Sequence, residues 1–377
     1  MAPSGQARET FYDTWMRKEG IPVHRGYGIA DVRTVERADW ARTGGRAAFV
    51  HLHGMEGFTG MQIGEIAARR SLERQQHLHQ QFITVLSGRG TADVWLPGDS
   101  HRTSFEWQRG SFFAIPLNCA YVLHNTGSEP VVYMAVNDAP MVLDLFHNED
   151  FVFANDYRFT DRFPPGGTGY YSATRRYENY FGGVAETNFI ADVHEIALDS
   201  LGVKGSGVDA TVFEMAGNTI AAHITSWPVG RYHKAHHHLG GAVLFGLRSS
   251  GYVLIWPQEA GSRPYESGNG DRVVRVEWGE GSVYSPPSKW FHQHFNTGAE
   301  TARQLAFRGG VKHPTGIRRA GNPIVGGRPG VLVSVREGGS LLPYEDEDPR
   351  IRRDYADALT RQGISPDMPE DLYTGTA

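Results

Sequence analysis

The sequence predicts an all-β protein built from two copies of one β unit, and three observations carry that prediction. The chain has 46 glycines and 20 prolines among 377 residues. They follow no collagen period and fall between short apolar runs, the pattern of many short strands joined by turns. Gly110, Ser111, Pro116, Asn125, Thr126 and Gly127 recur without gaps as Gly281, Ser282, Pro287, Asn296, Thr297 and Gly298, at a constant offset of 171. Upstream of each block, Gly90 and Trp95 recur as Gly251 and Trp256 at an offset of 161. The ten-residue difference fits a longer loop in the second copy, where Glu259 to Asp271 is rich in Gly, Ser and Pro.

In chain order, residues 1–49 read as an N-terminal arm and 50–145 as the first β unit, with strands expected at Phe82–Leu86 and Val131–Val136. Residues 146–204 form a connector rich in aromatics (Phe146, Phe151, Phe153, Tyr157, Phe159, Phe163). The second unit spans 205–315, with strands expected at Val243–Leu247 and Arg303–Arg308. The C-terminal extension, 316–377, carries a helix over 345–362, because Ile351, Tyr355, Ala358 and Leu359 recur at helical spacing among charged residues. A surface helix or an arm between subunits is expected there.

Composition narrows the function classes. Hydrophobic residues make up 40% and charged residues 21% of the chain, which is ordinary for a globular protein and excludes wholesale disorder. The formal net charge of −5 provides no basic field for nucleic acid or an anionic membrane. Arg69–Arg70 and Arg318–Arg319 are pairs rather than stripes, so no nucleic-acid partner is expected. Gly44–Gly45 and Gly166–Gly167 lack a strand–helix context and read as turns. Cys119 is the single cysteine, which excludes an intrachain disulfide and a thiolate zinc cluster. It reads as a small buried residue. No signal-type apolar core or membrane-length apolar run is present, so a soluble, cytoplasmic protein is expected.

Six of the 17 histidines fall in two tight groups, His233, His236, His237 and His238, then His292 and His294. On a strand, residues i and i+2 face the same way. His236 and His238 then share a face while His237 points away, and His292 and His294 share a face on a later strand. If both faces look into one barrel, up to four imidazoles converge, and imidazole suits Fe, Zn, Ni or Cu. The plainer reading of each histidine is a satisfied core residue. Trp95, Trp107, Trp256 and Trp278 read as core, and Trp290 as core or pocket wall beside His292.

The run His236–His237–His238, the turn at Ser249–Ser250–Gly251, and Gly281 with Pro287, His292 and Asn296 resemble the two motifs of the cupin superfamily. Gly281, Pro287, His292 and Asn296 fall on the spacing of the second motif, and His236 and His238 on the His-x-His of the first. Two departures stand out: the carboxylate ligand of the first motif falls near Gly241 or Ala242, and the inner glycine of the second is Lys289. The resemblance implies two double-stranded β-helix (cupin, jelly-roll) barrels with short helical terminal segments. It implies a metal held by His236, His238 and His292 in the second. In the first unit the repeat places Gln75, His77, Gln81 and Tyr121 opposite His236, His238, Ala242 and His292. His124 and His79 align with Phe295 and Gly240. A degenerate site that packs or pairs is expected there, with only His77 on the ligand-facing set.

Two β units and a His-only motif with His294 two residues beyond His292 resemble, more narrowly, the gentisate 1,2-dioxygenase group of bicupins. That resemblance implies Fe(II), with Mn, Ni or Zn as alternatives, dioxygen as co-substrate, and a homo-oligomer, dimer or tetramer. Three neutral imidazoles leave a 2+ ion uncompensated and suit a substrate that binds as a bidentate anion. About three positions of an octahedral ion stay open, two for such a substrate and one for dioxygen. The implied reaction is oxidative C–C cleavage of a small, anionic hydroxylated aromatic acid. His294 is a candidate acid/base or neighbour of the metal, and His233 a rim residue. Arg231 and Arg308 are candidates for holding a substrate carboxylate through a bidentate fork. Two other classes stay open: a non-redox metal-dependent lyase or isomerase, and a binding protein without turnover.

Overall fold

The computed structural model describes residues 9–55, 57–179, 182–310, 312–316 and 323–374. The Arg318–Arg319 pair lies outside them. The repeated residues explain why both halves of the chain turn alike. Gly110 and Gly281 take left-handed backbone angles, φ +88° and +86°, which glycine adopts without a Cβ clash. Their amides donate to the Val85 and Gly246 carbonyls, both at 2.9 Å. Beside them, Ser111 Oγ and Ser282 Oγ each accept a backbone amide at 3.0 Å, from Gln108 and Gly279. Asn125 and Asn296 close the next turn. Each side-chain amide donates to the carbonyl four residues on, at 2.8 and 2.9 Å, and each Oδ1 accepts the amide two residues on. The sequence repeat is a repeat of turn chemistry.

One unit comprises Met1–Arg25, Arg33–His51 and Gly57–Ser172, and the other Gly26–Val32, Leu52–Glu56 and Ala173–Ala377. The larger sheet of the first runs Val23–Gly26, Gly45–Leu52, Gly60–Ile66, Val131–Asn137, Gln81–Ser87, Phe112–Ile115, with Ala38–Trp40 beside Gly45–Leu52. Its smaller sheet runs Ala120–Asn125, Arg89–Trp95, Thr103–Gln108. The second unit repeats this order. Asp209–Glu214, Ile220–Trp227, Ala302–Gly309, Val243–Arg248 and Val283–Tyr284 are consecutive neighbours in its larger sheet. Trp290–Asn296, Gly251–Pro257 and Val274–Trp278 form the smaller one. In each unit the last long strand inserts between two earlier ones, so an all-β, two-sheet architecture is present twice. The four expected strands are all formed, each longer by one or two residues.

Two expectations change. The supposed N-terminal arm is folded: helix Phe11–Glu19, capped reciprocally by Thr10 and Asp13, buries Tyr12, Trp15 and Met16 against Trp40 and Phe49. The connector is divided, with residues up to 172 in the first unit and those from 173 in the second. Cys119 is buried, as expected, and burial pushes its thiol up to about 12. Among the described residues no helix is long and apolar enough to cross a membrane.

The C-terminal helix spans Pro349–Arg361 and buries the four residues picked from its periodicity, Ile351, Tyr355, Ala358 and Leu359. Asp348 Oδ1 caps it through the Arg350 amide at 3.0 Å, with Pro349 in the first turn where no amide is needed. Those side chains pack on Tyr232, Tyr252, Trp256, Phe291 and Phe295. The helix therefore packs one face into the second unit's own core and leaves the opposite face exposed, as a surface helix does. Each large apolar side chain buried this way contributes about 1.5–3 kcal/mol.

Glu347, just before this helix, is buried and accepts hydrogen bonds from Tyr232 Oη and, at 2.9 Å, from Gln293 Nε2. Burial outweighs those bonds and pushes its carboxyl up to about 7. The folded protein thus keeps a proton that the unfolded chain releases near its ordinary carboxyl value of 4.5. Stability from this group is full below that value and is lost as pH rises through about 7. Urea unfolding followed from pH 4.5 to 8 should show a decline of about 2–3 kcal/mol attributable to this group, and Glu347→Gln should flatten it. An unchanged pH profile in the variant would contradict this assignment.

Candidate metal centre

The centre is built on strand Trp290–Asn296. Its alternation sends Phe291 and Phe295 into the core under the C-terminal helix, while His292 and His294 face a cavity in the second unit. The segment before it in the sequence runs alongside. His236 pairs with His292 by two backbone bonds, 3.2 and 2.9 Å, the His233 amide donates to the His294 carbonyl at 3.0 Å, and the Lys289 amide donates to the His238 carbonyl at 2.8 Å. The other edge of this segment is held by the C-terminal extension, His237 N to Ser340 O at 3.2 Å and Leu342 N to Ala235 O at 2.8 Å. The strand expected through His236 and His238 is therefore replaced by an extended segment with isolated bridges. His236 and His238 still reach the cavity, and His237 turns away to pack edge-on against Phe291 at 4.8 Å. Lys289, in place of the motif's glycine, takes a left-handed φ of +61°.

His236, His238 and His292 each offer a ring nitrogen, and these lie within 4.8 Å of one another. No ion is needed to see which nitrogens are free. Nδ1 of His236 faces the Lys234 carbonyl at 3.3 Å, that of His238 the Leu239 carbonyl at 2.6 Å, and that of His292 the Trp290 carbonyl at 3.1 Å. A carbonyl can only accept, so each Nδ1 carries the hydrogen and each Nε2 keeps its lone pair. Metal-ligating histidines are oriented by this kind of outer bond. Burial, ahead of the neighbouring positive charges, keeps His236 and His292 well below the usual imidazole range, and holds His238 near about 3. All three are neutral, as ligation requires. The residues present fit a mononuclear metal ion.

His294 stands beside them, its ring 5.5 Å from that of His292. Tyr284 Oη donates to Gln304 Oε1 at 2.8 Å and so accepts from His294 Nδ1, also at 2.8 Å, which leaves the His294 Nε2 lone pair available. His233 is more deeply placed than the expected rim position; it is buried against Trp227, and its Nε2 has no hydrogen-bond partner. Arg308 lines the cavity. Arg231 does not: its Nε donates to Asp367 at 2.8 Å and its Nη1 to Ser206 at 2.8 Å, which commits the guanidinium away from any substrate. Sequence reasoning missed His223 and Lys204, both of which line the cavity. His223 alternates with Thr225 on strand Ile220–Trp227, a legible signal; Lys204 ends a short turn, Gly202–Lys204, outside any repeat.

The first unit has a smaller cavity at the corresponding place, lined in part by Gln75, His77, His79, Gln81 and Tyr121. Tyr121 Oη accepts from Gln81 Nε2 at 2.8 Å and lies 3.4 Å from His77 Nε2. His79 was expected outside the inward-facing set, yet its ring stacks on that of His77 at 3.6 Å. His124 lies elsewhere, against Ser71 and Asp93.

No protein-family profile matches the chain, and no curated protein matches it. Among solved structures it is similar to oxalate decarboxylase, with a TM-score of 0.48 and 11% identity over 74% of this chain and 76% of that one. A mutant of Bacillus subtilis oxalate decarboxylase, and the same enzyme in a study of its Mn(II) centres, each give 0.47 and 12% over the same shares. Likenesses at these TM-scores carry no argument here, and the functional reading rests on the site's own geometry. That geometry defines a two-unit, all-β protein with a three-histidine candidate metal centre in its second unit.

Anaerobic loading with Fe(II) or Mn(II), followed by desalting and metal analysis, should give about one ion per chain. His292→Ala should reduce this at least tenfold, as loss of a ligand does to affinity, and His77→Ala should leave it unchanged. Equal metal content in all three proteins would contradict the assignment.

Proposed function

We propose that the second unit is a mononuclear non-heme Fe(II) dioxygenase site that cleaves a C–C bond of a small hydroxylated aromatic acid or a similar bidentate anion. The observation that supports this is a centre of three neutral imidazoles in a cavity whose lining, among the described residues, contains Arg308 but no aspartate or glutamate. Bound there, Fe(II) supplies Lewis acidity and redox chemistry toward dioxygen. The chain supplies the rest. His236, His238 and His292 would hold the ion through one ring nitrogen each. Arg308 offers a planar fork to a carboxylate. His294, fixed as a tautomer by Tyr284 and Gln304, can take a proton from a substrate hydroxyl at Nε2 and return it. Ala210, Val212, Leu244, Ala306 and Val331 line the walls and keep bulk water from the reacting atoms.

One observation favours a second reading, a non-redox metal-dependent lyase or isomerase acting on a compact anion. The cavity has a volume of about 60 Å³, whereas a cavity of about 150 Å³ accommodates benzene. Oxygen uptake by the Fe(II)-loaded protein, with gentisate, salicylate and short-chain hydroxy acids, separates the two. The proposal expects substrate-dependent oxygen consumption that is lost in His236→Ala. In Arg308→Leu, kcat/KM should fall by about 10–100-fold. Equal turnover under nitrogen would transfer the site to lyase or isomerase chemistry, and metal-replete protein inert toward every substrate would overturn the dioxygenase reading.

A further inference from the structure

One side chain in the lining of the second unit's cavity has a chemistry that the proposed reaction leaves unused. Lys204 lies there with His223, His233, Gln304 and Val331, and both of its ends are held. Its amide donates to the Leu201 carbonyl at 3.1 Å, closing the turn Gly202–Lys204, and its carbonyl accepts the Lys234 amide at 2.9 Å. At the tip, Nζ donates to the Val331 carbonyl at 3.1 Å.

That single bond shows which form of the amine suits the site. An ammonium has three donors and no acceptor, whereas a neutral amine exchanges one donor for a lone pair. Among the described residues Lys204 has no second acceptor and no ion pair. Burial, reinforced by the charge of Arg308, drives its ammonium well below the ordinary lysine range, as desolvation of a lysine does. The hydrogen-bond count and the burial agree on a neutral amine. Lysines desolvated in this way, beside another cation, are the ones that attack carbonyl carbon.

The space beside Nζ is polar and compact. His223 Nδ1, His233 Nε2 and Gln304 Nε2 are buried there without hydrogen-bond partners, and orphans of this kind call for a bound polar group. Both imidazoles feel the Lys204 charge, which places them within reach of events at its nitrogen. The cavity volume of about 60 Å³ selects short-chain compounds.

We propose that Lys204 captures carbonyl compounds: its amine condenses with a short-chain aldehyde or 2-oxo acid in the cavity and holds it as an imine. The Nζ lone pair bonds to the carbonyl carbon, the C=O π pair moves to oxygen, and that oxygen takes the proton that nitrogen loses. The nitrogen lone pair then expels the hydroxyl, which leaves as water with a proton from His223 or His233. The imidazole recovers its proton from the nitrogen. Amine and carbonyl become imine and water, and nothing is oxidised or reduced. This activity goes beyond the dioxygenase reading and needs no metal, so it stands or falls independently of the centre at His236, His238 and His292.

Reductive trapping of the full-length, metal-free protein tests the proposal. Cyanoborohydride converts an imine to a stable secondary amine, and peptide mass spectrometry locates the label. Among the other lysines, Lys18 and Lys312 are paired with Glu149 and Glu186 and serve as references on the same molecule. With glyoxylate at neutral pH, Lys204 should acquire a carboxymethyl group at least about tenfold faster than either reference. The margin is conservative, because an ordinary lysine is a neutral amine in only roughly one molecule in 2,500 at pH 7. Acetaldehyde distinguishes the two sources: a higher Lys204-to-Lys18 ratio with glyoxylate assigns the cavity to 2-oxo acids, and a higher ratio with acetaldehyde to simple aldehydes. Lys204→Gln should remove the fast label and leave Lys18 and Lys312 labelled as before. Label on Lys204 no faster than on the references with either compound, or a fast label that persists in Lys204→Gln, would overturn the proposal. The wild-type ratio needs no variant to fold.

Discussion

The second unit's chemistry depends on one backbone interaction, the pairing of the His233–His238 segment with strand Trp290–Asn296. Two bonds between His236 and His292, at 3.2 and 2.9 Å, set the register of the histidines. A one-residue slip would send His292 and His294 into the apolar layer and bring Phe291 or Gln293 to the cavity. The register is defended from both sides. Phe291 and Phe295 are buried beneath the C-terminal helix, and Ser340 and Leu342 hold the outer edge of the histidine segment. Tyr355 Oη adds two anchors, to the Arg231 carbonyl at 3.0 Å and the Asn296 carbonyl at 2.8 Å.

From that register the electrostatics follow. Three Nδ1–H groups are engaged with carbonyls, so three Nε2 lone pairs meet in a space from which burial has removed protons. Among the described residues, no aspartate or glutamate is in the lining of this site. In many metal sites a carboxylate lowers the residual charge on the ion; here that task falls to whatever enters. Lys204 and Arg308 line the same cavity, and burial drives the Lys204 ammonium well below the ordinary lysine range.

The fold was largely legible because its turns are written twice. Gly110 and Gly281, with the Asn125 and Asn296 turns, are demanded by backbone conformation and local hydrogen bonding, which survive as repeated letters. The C-terminal helix was legible from the spacing of four apolar residues, but its burial was not, because amphipathic periodicity does not say what covers the apolar face. In the site, the motif spacing brought out His236, His238 and His292 together. The extended conformation of His236 is imposed by Leu341 and His292, far apart in sequence, and alternation alone does not show it. Arg231 looked equivalent to Arg308, yet Asp367 and Ser206 claim its guanidinium. Lys204 lies in a loop with no periodicity, and only the folded chain brings it to the histidines. His79 was misplaced because the repeat alignment treats the two histidine segments as one shape, whereas His77 and His79 stack in the first unit.

The central claim is that three imidazole nitrogens, and no protein carboxylate or thiolate, hold a metal ion in the second unit. X-ray absorption at the metal edge of the reconstituted protein tests it most directly. The account predicts imidazole scattering that fits about three histidines, with metal–nitrogen distances near the roughly 2.0–2.1 Å of a zinc site if Zn(II) is used, and a loss of that pattern in His236→Ala. A spectrum without histidine scattering, or one unaltered by the substitution, would contradict it.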